Sequence, residues 1–158
     1  MAILMLDLLG VSIFGLVSAV LMTLVETPFW KKWGMEGMTE WQVNSVMVSK
    51  LFGKSKEINQ PELSWTIASH LLHGVAAGIV VRLLLPTLFW LVPVSKMSML
   101  LDAVVYSVAL WAFFLVWGRR KFESVGRIQI TSRGLLCSLL SMIVYGIFLG
   151  IMLPFTFP

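Results

Sequence analysis

Four long stretches in which apolar side chains follow one another almost without interruption divide this chain, and most charged residues lie between them. Residues 2–25 carry only Asp7, residues 64–85 carry His70, His73 and Arg82, residues 98–117 carry Asp102, and residues 134–153 carry no charge. Each stretch has the roughly 20 apolar residues that a helix needs to cross a hydrocarbon core. The pattern predicts an all-α, polytopic integral membrane protein, a single domain over residues 1–158 with four transmembrane helices in an antiparallel bundle. Glu26, Thr27 and Pro28 are expected to close the first span, since proline disfavours helix at the residue before it. Pro86 should end the second span, the cluster Arg119, Arg120 and Lys121 the third, and Pro154 the fourth.

Only one connection, residues 26–63, is long enough to hold structure of its own. Thr39 and Gln42 have capping-box spacing, and Trp41, Val48, Leu51 and Phe52 are spaced to share much of one apolar side. They predict an amphipathic helix over 39–52, lying on the inner membrane surface or folded beneath the bundle. Gly53 is its expected stop. Residues 54–62 read as a polar linker, and the apolar segment 86–96, broken by Pro86 and Pro93, as one resting in the outer interface.

Composition sharpens this picture. Hydrophobic residues make up 58% of the chain and charged residues 13%, against about 25% charged in a typical soluble domain. A soluble enzyme, a disordered chain and a disulfide scaffold are therefore disfavoured. The single cysteine, Cys137, lies within an apolar run and allows neither an intramolecular disulfide nor a thiolate metal cluster. Residues 1–25 lack a basic leading region and are too long an apolar run for a cleaved signal, so they read as a retained span.

The net charge of +4 reflects orientation rather than nucleic-acid binding, because basic residues concentrate beside the spans. Lys31, Lys32, Lys50, Lys54 and Lys56 lie in one connection and Arg119, Arg120, Lys121, Arg127 and Arg133 in another, leaving Arg82 and Lys96 for the opposite side. Short basic loops stay cytoplasmic, so both termini are expected outside a cell membrane. Trp30, Trp33, Trp65 and Trp117 would mark the inner interface and Trp90 the outer one. The Arg119–Lys121 cluster could attract anionic lipid headgroups.

Lipid offers no hydrophobic drive between helices, so small residues that permit close approach carry packing information. Gly15 with Ala19, Gly74 with Gly78, and Gly146 with Gly150 have that spacing; they predict contacts within the bundle or with another subunit. Asp7, Arg82 and Asp102 fall at similar depth near the outer side and predict a structural ion pair or triad. On the inner side, His70 and His73 are neighbours on one helix face, and Glu26 ends the adjacent helix at the same level. Two imidazoles and a carboxylate can bind a divalent metal, relay protons, or hydrogen-bond to neighbouring helices or to Glu40, Asn44 or Ser45. No cofactor is specified otherwise. No phosphate-binding loop, nucleophile elbow or zinc-protease motif is present.

The segment Glu26-Thr27-Pro28-Phe29-Trp30, followed by Trp33-Gly34, Glu40-Trp41, Asn44 and His70-Leu71-Leu72-His73-Gly74, resembles small uncharacterised prokaryotic four-span membrane proteins. In these an E-x-P-x-W segment follows the first span and an H-x-x-H-G motif opens the second. The resemblance covers about the first half of the chain and implies that the inner polar group is a family feature; it brings no activity. With so few residues outside the spans, the expected role is non-catalytic, as an accessory or structural subunit of a larger membrane complex of the respiratory or membrane-oxygenase kind. Its expected partners are the lipid bilayer and other membrane subunits or further copies of itself. The alternatives are a small oligomeric transporter or proton-coupled carrier built on Glu26, His70 and His73, and a metal-binding membrane protein or enzyme.

Overall fold

A computed structural model describes residues 2–53, 62–88 and 95–156, and these are helical almost throughout. Helix α1 spans Ala2–Trp33; a 3-10 turn, Gly34–Met38, leads into α2, Thr39–Leu51; α3 spans Leu63–Leu88. Helix α4, Lys96–Trp111, continues as a π-helical turn, Ala112–Trp117; α5 is Arg119–Gly126, and α6, Ser132–Met152, ends in a second 3-10 turn, Leu153–Thr156. Four helical stretches, which contain α1, α3, α4 and α6, are long and apolar enough to cross a membrane. Of the linker expected at 54–62 and the outer-interface segment expected at 86–96, residues 54–61 and 89–94 lie outside the described residues, while 86–88 continue α3 and Lys96 begins α4.

The buried stripes of α1 and α6 are rich in small and polar residues, interspersed with Val11, Met22, Met142 and Leu149, and many of the large apolar residues of both helices face outward. On α1, Val11, Gly15, Ser18, Ala19, Met22 and Glu26 are buried at helical spacing, while Leu9, Ile13, Leu16, Val20 and Leu24 are exposed. On α6, Gly134, Cys137, Ser138, Ser141, Tyr145, Gly146 and Gly150 face inward, while Leu136, Leu140, Ile147 and Ile151 face out.

Small residues let the backbones touch. A Cβ on Gly15 would lie 2.5 Å from the carbonyl oxygen of Gly74, one on Gly74 would lie 2.5 Å from Ala19 Cβ, and one on Gly78 would lie 3.0 Å from the Val11 carbonyl. Residue numbers on α3 fall as those on α1 rise, so the two helices run in opposite directions. Gly146 and Gly150 do the same for α6 against α4, meeting Val104 and Ser107, and Leu100 and Ala103. Trp111 at the end of α4 donates its indole N–H to the Leu135 carbonyl at 3.1 Å and to Ser138 Oγ at 3.2 Å. Tyr145 of α6 donates to the Gly74 carbonyl at 2.7 Å and ties α6 to α3.

Several boundaries differ from the sequence expectation. Pro28 does not close α1, which runs on to Trp33. Proline interrupts one backbone hydrogen bond without ending a helix that neighbouring groups support, and the Thr23 and Thr27 hydroxyls bond back to the Ala19 and Thr23 carbonyls on the same stretch. Pro86 likewise lies inside α3. The capping box at Thr39 and Gln42 does not form: Met38 is the N-cap and makes no side-chain cap. Thr39 Oγ1 instead donates to the Glu36 carbonyl and Gln42 Nε2 to the Met35 carbonyl, both in the preceding turn.

Helix α2 occupies the expected range but offers no single apolar side. From Thr39 to Val46 every residue is buried, as are Val48 and Ser49, whereas Leu51 and Phe52 are exposed. The chain doubles back tightly to get there, since a Cβ on Gly37 would lie 2.6 Å from the Phe29 carbonyl carbon. Gly53, with φ +67°, ends the segment in the left-handed region where glycine costs least. Helix α5 was not foreseen. It ends at Arg127 with φ 50°, and a Cβ on Gly126 would come within 2.5 Å of Val46 Cγ2, so α5 rests directly on α2.

Arg119 and Glu123 form an ion pair at 3.0 Å, and Glu123 Oε1 also accepts the Ile130 amide at 3.1 Å. The Arg119 hydrogen bond, helped by that amide, holds the Glu123 carboxyl below the usual carboxylate range. A carboxyl with a lowered folded pKa contributes stability above its unfolded value and loses it as pH falls through the folded one. The hydrogen-exchange protection factor of the Ile130 amide should therefore hold steady from neutrality down and fall below about pH 4; in Glu123→Ala, which removes the acceptor, it should be low throughout and show no such step. Gly74→Leu should lower the thermal midpoint in detergent by the equivalent of about 1–3 kcal/mol, while Leu72→Ala on the exposed face should stay within about 0.5 kcal/mol.

Candidate functional site

The buried stripe of α1 ends in Glu26, 1% exposed, one helical turn beyond Met22. Because α2 folds back against this end, Trp41 reaches Glu26, and its indole N–H donates to Glu26 Oε2. The other face of the site comes from α3. His70 lies one turn before Gly74 and stacks on Trp41, with ring centroids 5.0 Å apart and planes 26° apart. Trp41 thus joins three helices through one side chain.

Asn44, one turn after Glu40 on α2, places its amide Nδ2 3.3 Å from His70 Nδ1. An amide nitrogen only donates, so Nδ1 is the acceptor and a neutral His70 carries its proton on Nε2. Nε2 is turned toward the Ala19 backbone of α1 without a hydrogen bond of normal geometry. Glu40 Oε2, also buried, has no hydrogen-bond partner among the described residues. Glu40, His70, His73 and Tyr145 border a common cavity of about 10 Å³, and a second of about 10 Å³ lies between Glu40, Asn44, His73 and Trp111. Each approaches the smallest space that holds one water. Ser141 of α6 lies within hydrogen-bonding reach of Glu26 and completes the fourth wall.

Neither Glu26 nor Glu40 has a lysine or arginine partner among the described residues. Two carboxyl groups out of water are costly unless hydrogen bonds or a shared proton compensate them. The indole of Trp41 serves Glu26 in this way, and the Asn44 amide lies within reach of Glu40, whereas the Ser141 hydroxyl donates to the Cys137 carbonyl at 2.9 Å.

The sequence-predicted trio is only partly brought together. Glu26 and His70 share Trp41, while His73, half-buried, borders the same small cavity as His70 and lies edge-on to Phe114 of the π-helical turn at 5.9 Å. Among the described residues no three His, Cys, Asp or Glu side chains are grouped to hold a metal ion. At the opposite end of α1, Asp7 and Arg82 form an ion pair at 3.4 Å. Asp102 makes no ion pair with Arg82 among the described residues, and its Oδ2 is buried without a hydrogen-bond partner there. Of the ion pair or triad expected from the sequence, the described residues show the Asp7–Arg82 pair. Gly15, Ala19, Gly74 and Gly78 line the α1–α3 contact, and Gly146 and Gly150 the α4–α6 contact.

Trp41 and Tyr145 were missed as site residues. A tryptophan among Glu40, Gln42, Asn44, Ser45 and Ser49 is a signal that the polar side of α2, and not only its apolar side, meets protein. Compared with known proteins, the chain matches no family model, no curated protein and no solved structure.

Trp41→Phe keeps a ring against His70 but removes the donor to a buried carboxyl group, and should destabilise by about 1–3 kcal/mol. Glu26→Gln retains an acceptor for the indole and should cost less. Thermal unfolding of both variants in the same detergent checks the order, and equal costs would show that the indole N–H contributes nothing specific.

Proposed function

We propose that this chain is a multi-pass membrane protein whose four long helices form an antiparallel transmembrane bundle, and that it serves as a non-catalytic accessory or structural subunit of a larger membrane assembly. The observation that carries this reading is how the polar groups are spent. Trp41, Glu26, Asn44, His70, Trp111 and Tyr145 are engaged in contacts between helices, around cavities of about 10 Å³ that admit no substrate. Outward, the same helices present leucine, isoleucine, valine and phenylalanine side chains, which suit lipid or other subunits.

Orientation follows from the basic residues. The connections that hold Lys31, Lys32, Lys50, Arg119, Arg120 and Lys121 are proposed to face the cytoplasm, with both termini outside. An oligomeric carrier would need a hydrated path to His73, and cavities of about 10 Å³ beside that residue do not supply one. A metal-dependent role would need His73 to turn toward His70 and Glu26.

Purification from native membranes in a mild detergent should bring the protein down in stoichiometric amount with larger subunits; isolation as a free monomer under conditions that preserve other membrane complexes would overturn the subunit reading. In intact cells, trypsin added outside should leave the connection at 118–131 uncut, and cleavage there would reverse the orientation.

A further inference from the structure

Besides the small cavities around His73, the protein has a groove of about 530 Å³ at the end that carries the basic connections. It opens between the last turns of α2, the π-helical turn after α4, and α5. Its walls are almost wholly apolar, formed by Val46, Leu51, Phe113, Phe114, Phe122 and Val125 among others. Two of its lining residues are lysines, Lys50 from α2 and Lys121 from α5. Both are exposed, and neither has an acidic partner among the described residues. Trp117, 76% exposed, stands at the same groove.

We propose that this groove binds one anionic membrane phospholipid, with an acyl chain laid along the apolar walls and the phosphate held between Lys50 and Lys121. Charge complementarity selects the occupant. A wholly apolar partner would leave two ammonium groups at the groove unmatched, and a free phosphate would leave the apolar walls uncovered. An amphiphile with one negative head and one long tail satisfies both. The local backbone fits this use, since π-helical turns widen a helix where a site is needed. Here the Gly118 amide bonds back to the Phe113 carbonyl at 3.0 Å, turning Phe113, Phe114 and Trp117 toward the opening. The contact of Gly126 with Val46 fixes α5 to α2, which sets the two lysines on facing walls.

The inference rests on membrane residence, and its test separates the two. Detergent-purified protein is titrated with phosphatidylglycerol and with phosphatidylcholine of identical chains, and retained lipid is counted by native mass spectrometry. Each lysine near a headgroup contributes about fivefold, so the wild type should favour phosphatidylglycerol by about tenfold or more. Lys50→Ala with Lys121→Ala should bring the ratio close to one, whereas Lys31→Ala with Lys32→Ala, exposed at the end of α1, should leave it unchanged. Glycerol 3-phosphate, which has the charge but no chain, should not displace the lipid. Equal retention of both lipids by the wild type, an equal loss in the Lys31/Lys32 variant, or displacement by glycerol 3-phosphate would each overturn the proposal. A protein that stays dissolved without detergent would instead overturn membrane residence.

Discussion

The contact of Trp41 with Glu26 on one edge and His70 on its face organises this molecule. It is the point at which α2, polar by composition, becomes an interior element. A helix carrying Glu40, Gln42, Asn44, Ser45 and Ser49 is expensive to bury unless its polar groups find partners. Three of them do so, while Glu40 Oε2 and Ser45 Oγ are buried without a partner among the described residues. Asn44 meets His70, Ser49 accepts the Trp65 indole N–H at 2.7 Å, and Gln42 reaches back to Met35. With α2 held in this way, α5 has a surface to rest on, and the groove between α2, α5 and the π-helical turn exists because of it.

Cohesion among the long helices has a different origin. Their facing stripes set glycine, alanine and serine among Val11, Met22, Val81, Met99, Met142 and Leu149, so close backbone approach adds to apolar side-chain contact. Dispersion between backbones in contact is individually weak and adds up along a helix. Two aromatic residues of this interior bring hydrogen bonds with them, Tyr145 to the Gly74 carbonyl and Trp111 to Leu135 and Ser138.

The four long apolar helices were readable in the sequence because length and apolar continuity are local properties. The ends of the last two lie where expected, near Trp117 and Leu153. Pro28 and Pro86 read as stops, yet the helix continues past both, since support by neighbouring groups is a tertiary property. The extent of α2 was legible from Thr39 and Gly53, but its environment was not. The sequence left it either on a membrane surface or beneath the bundle, with Asn44 among the possible partners of the histidines; the structure buries it and pairs Asn44 with His70. Glu26 and His70 drew attention as charged or titratable residues in apolar surroundings; that Trp41 links them depends on the chain reversing at Gly37. Asp7, Arg82 and Asp102 share a depth in the sequence, but depth alone does not say which faces meet, and only the first two do.

Small-residue faces explain closeness but not position along the axis. Gly15 with Ala19 and Gly74 with Gly78 repeat every four residues, so sliding α3 past α1 by one such step, about 6 Å, would still oppose small residues. Glycine packing alone would therefore tolerate more than one register. What distinguishes the observed one is directional and lies at both ends of the pair. Asp7 and Arg82 meet at one end, and Glu26 and His70 meet the two sides of Trp41 at the other. A slip would part the ion pair and carry His70 off the indole, leaving polar groups buried without partners. The charged and aromatic residues that first suggested chemistry thus have a mechanical role: they fix a register that the glycines leave degenerate.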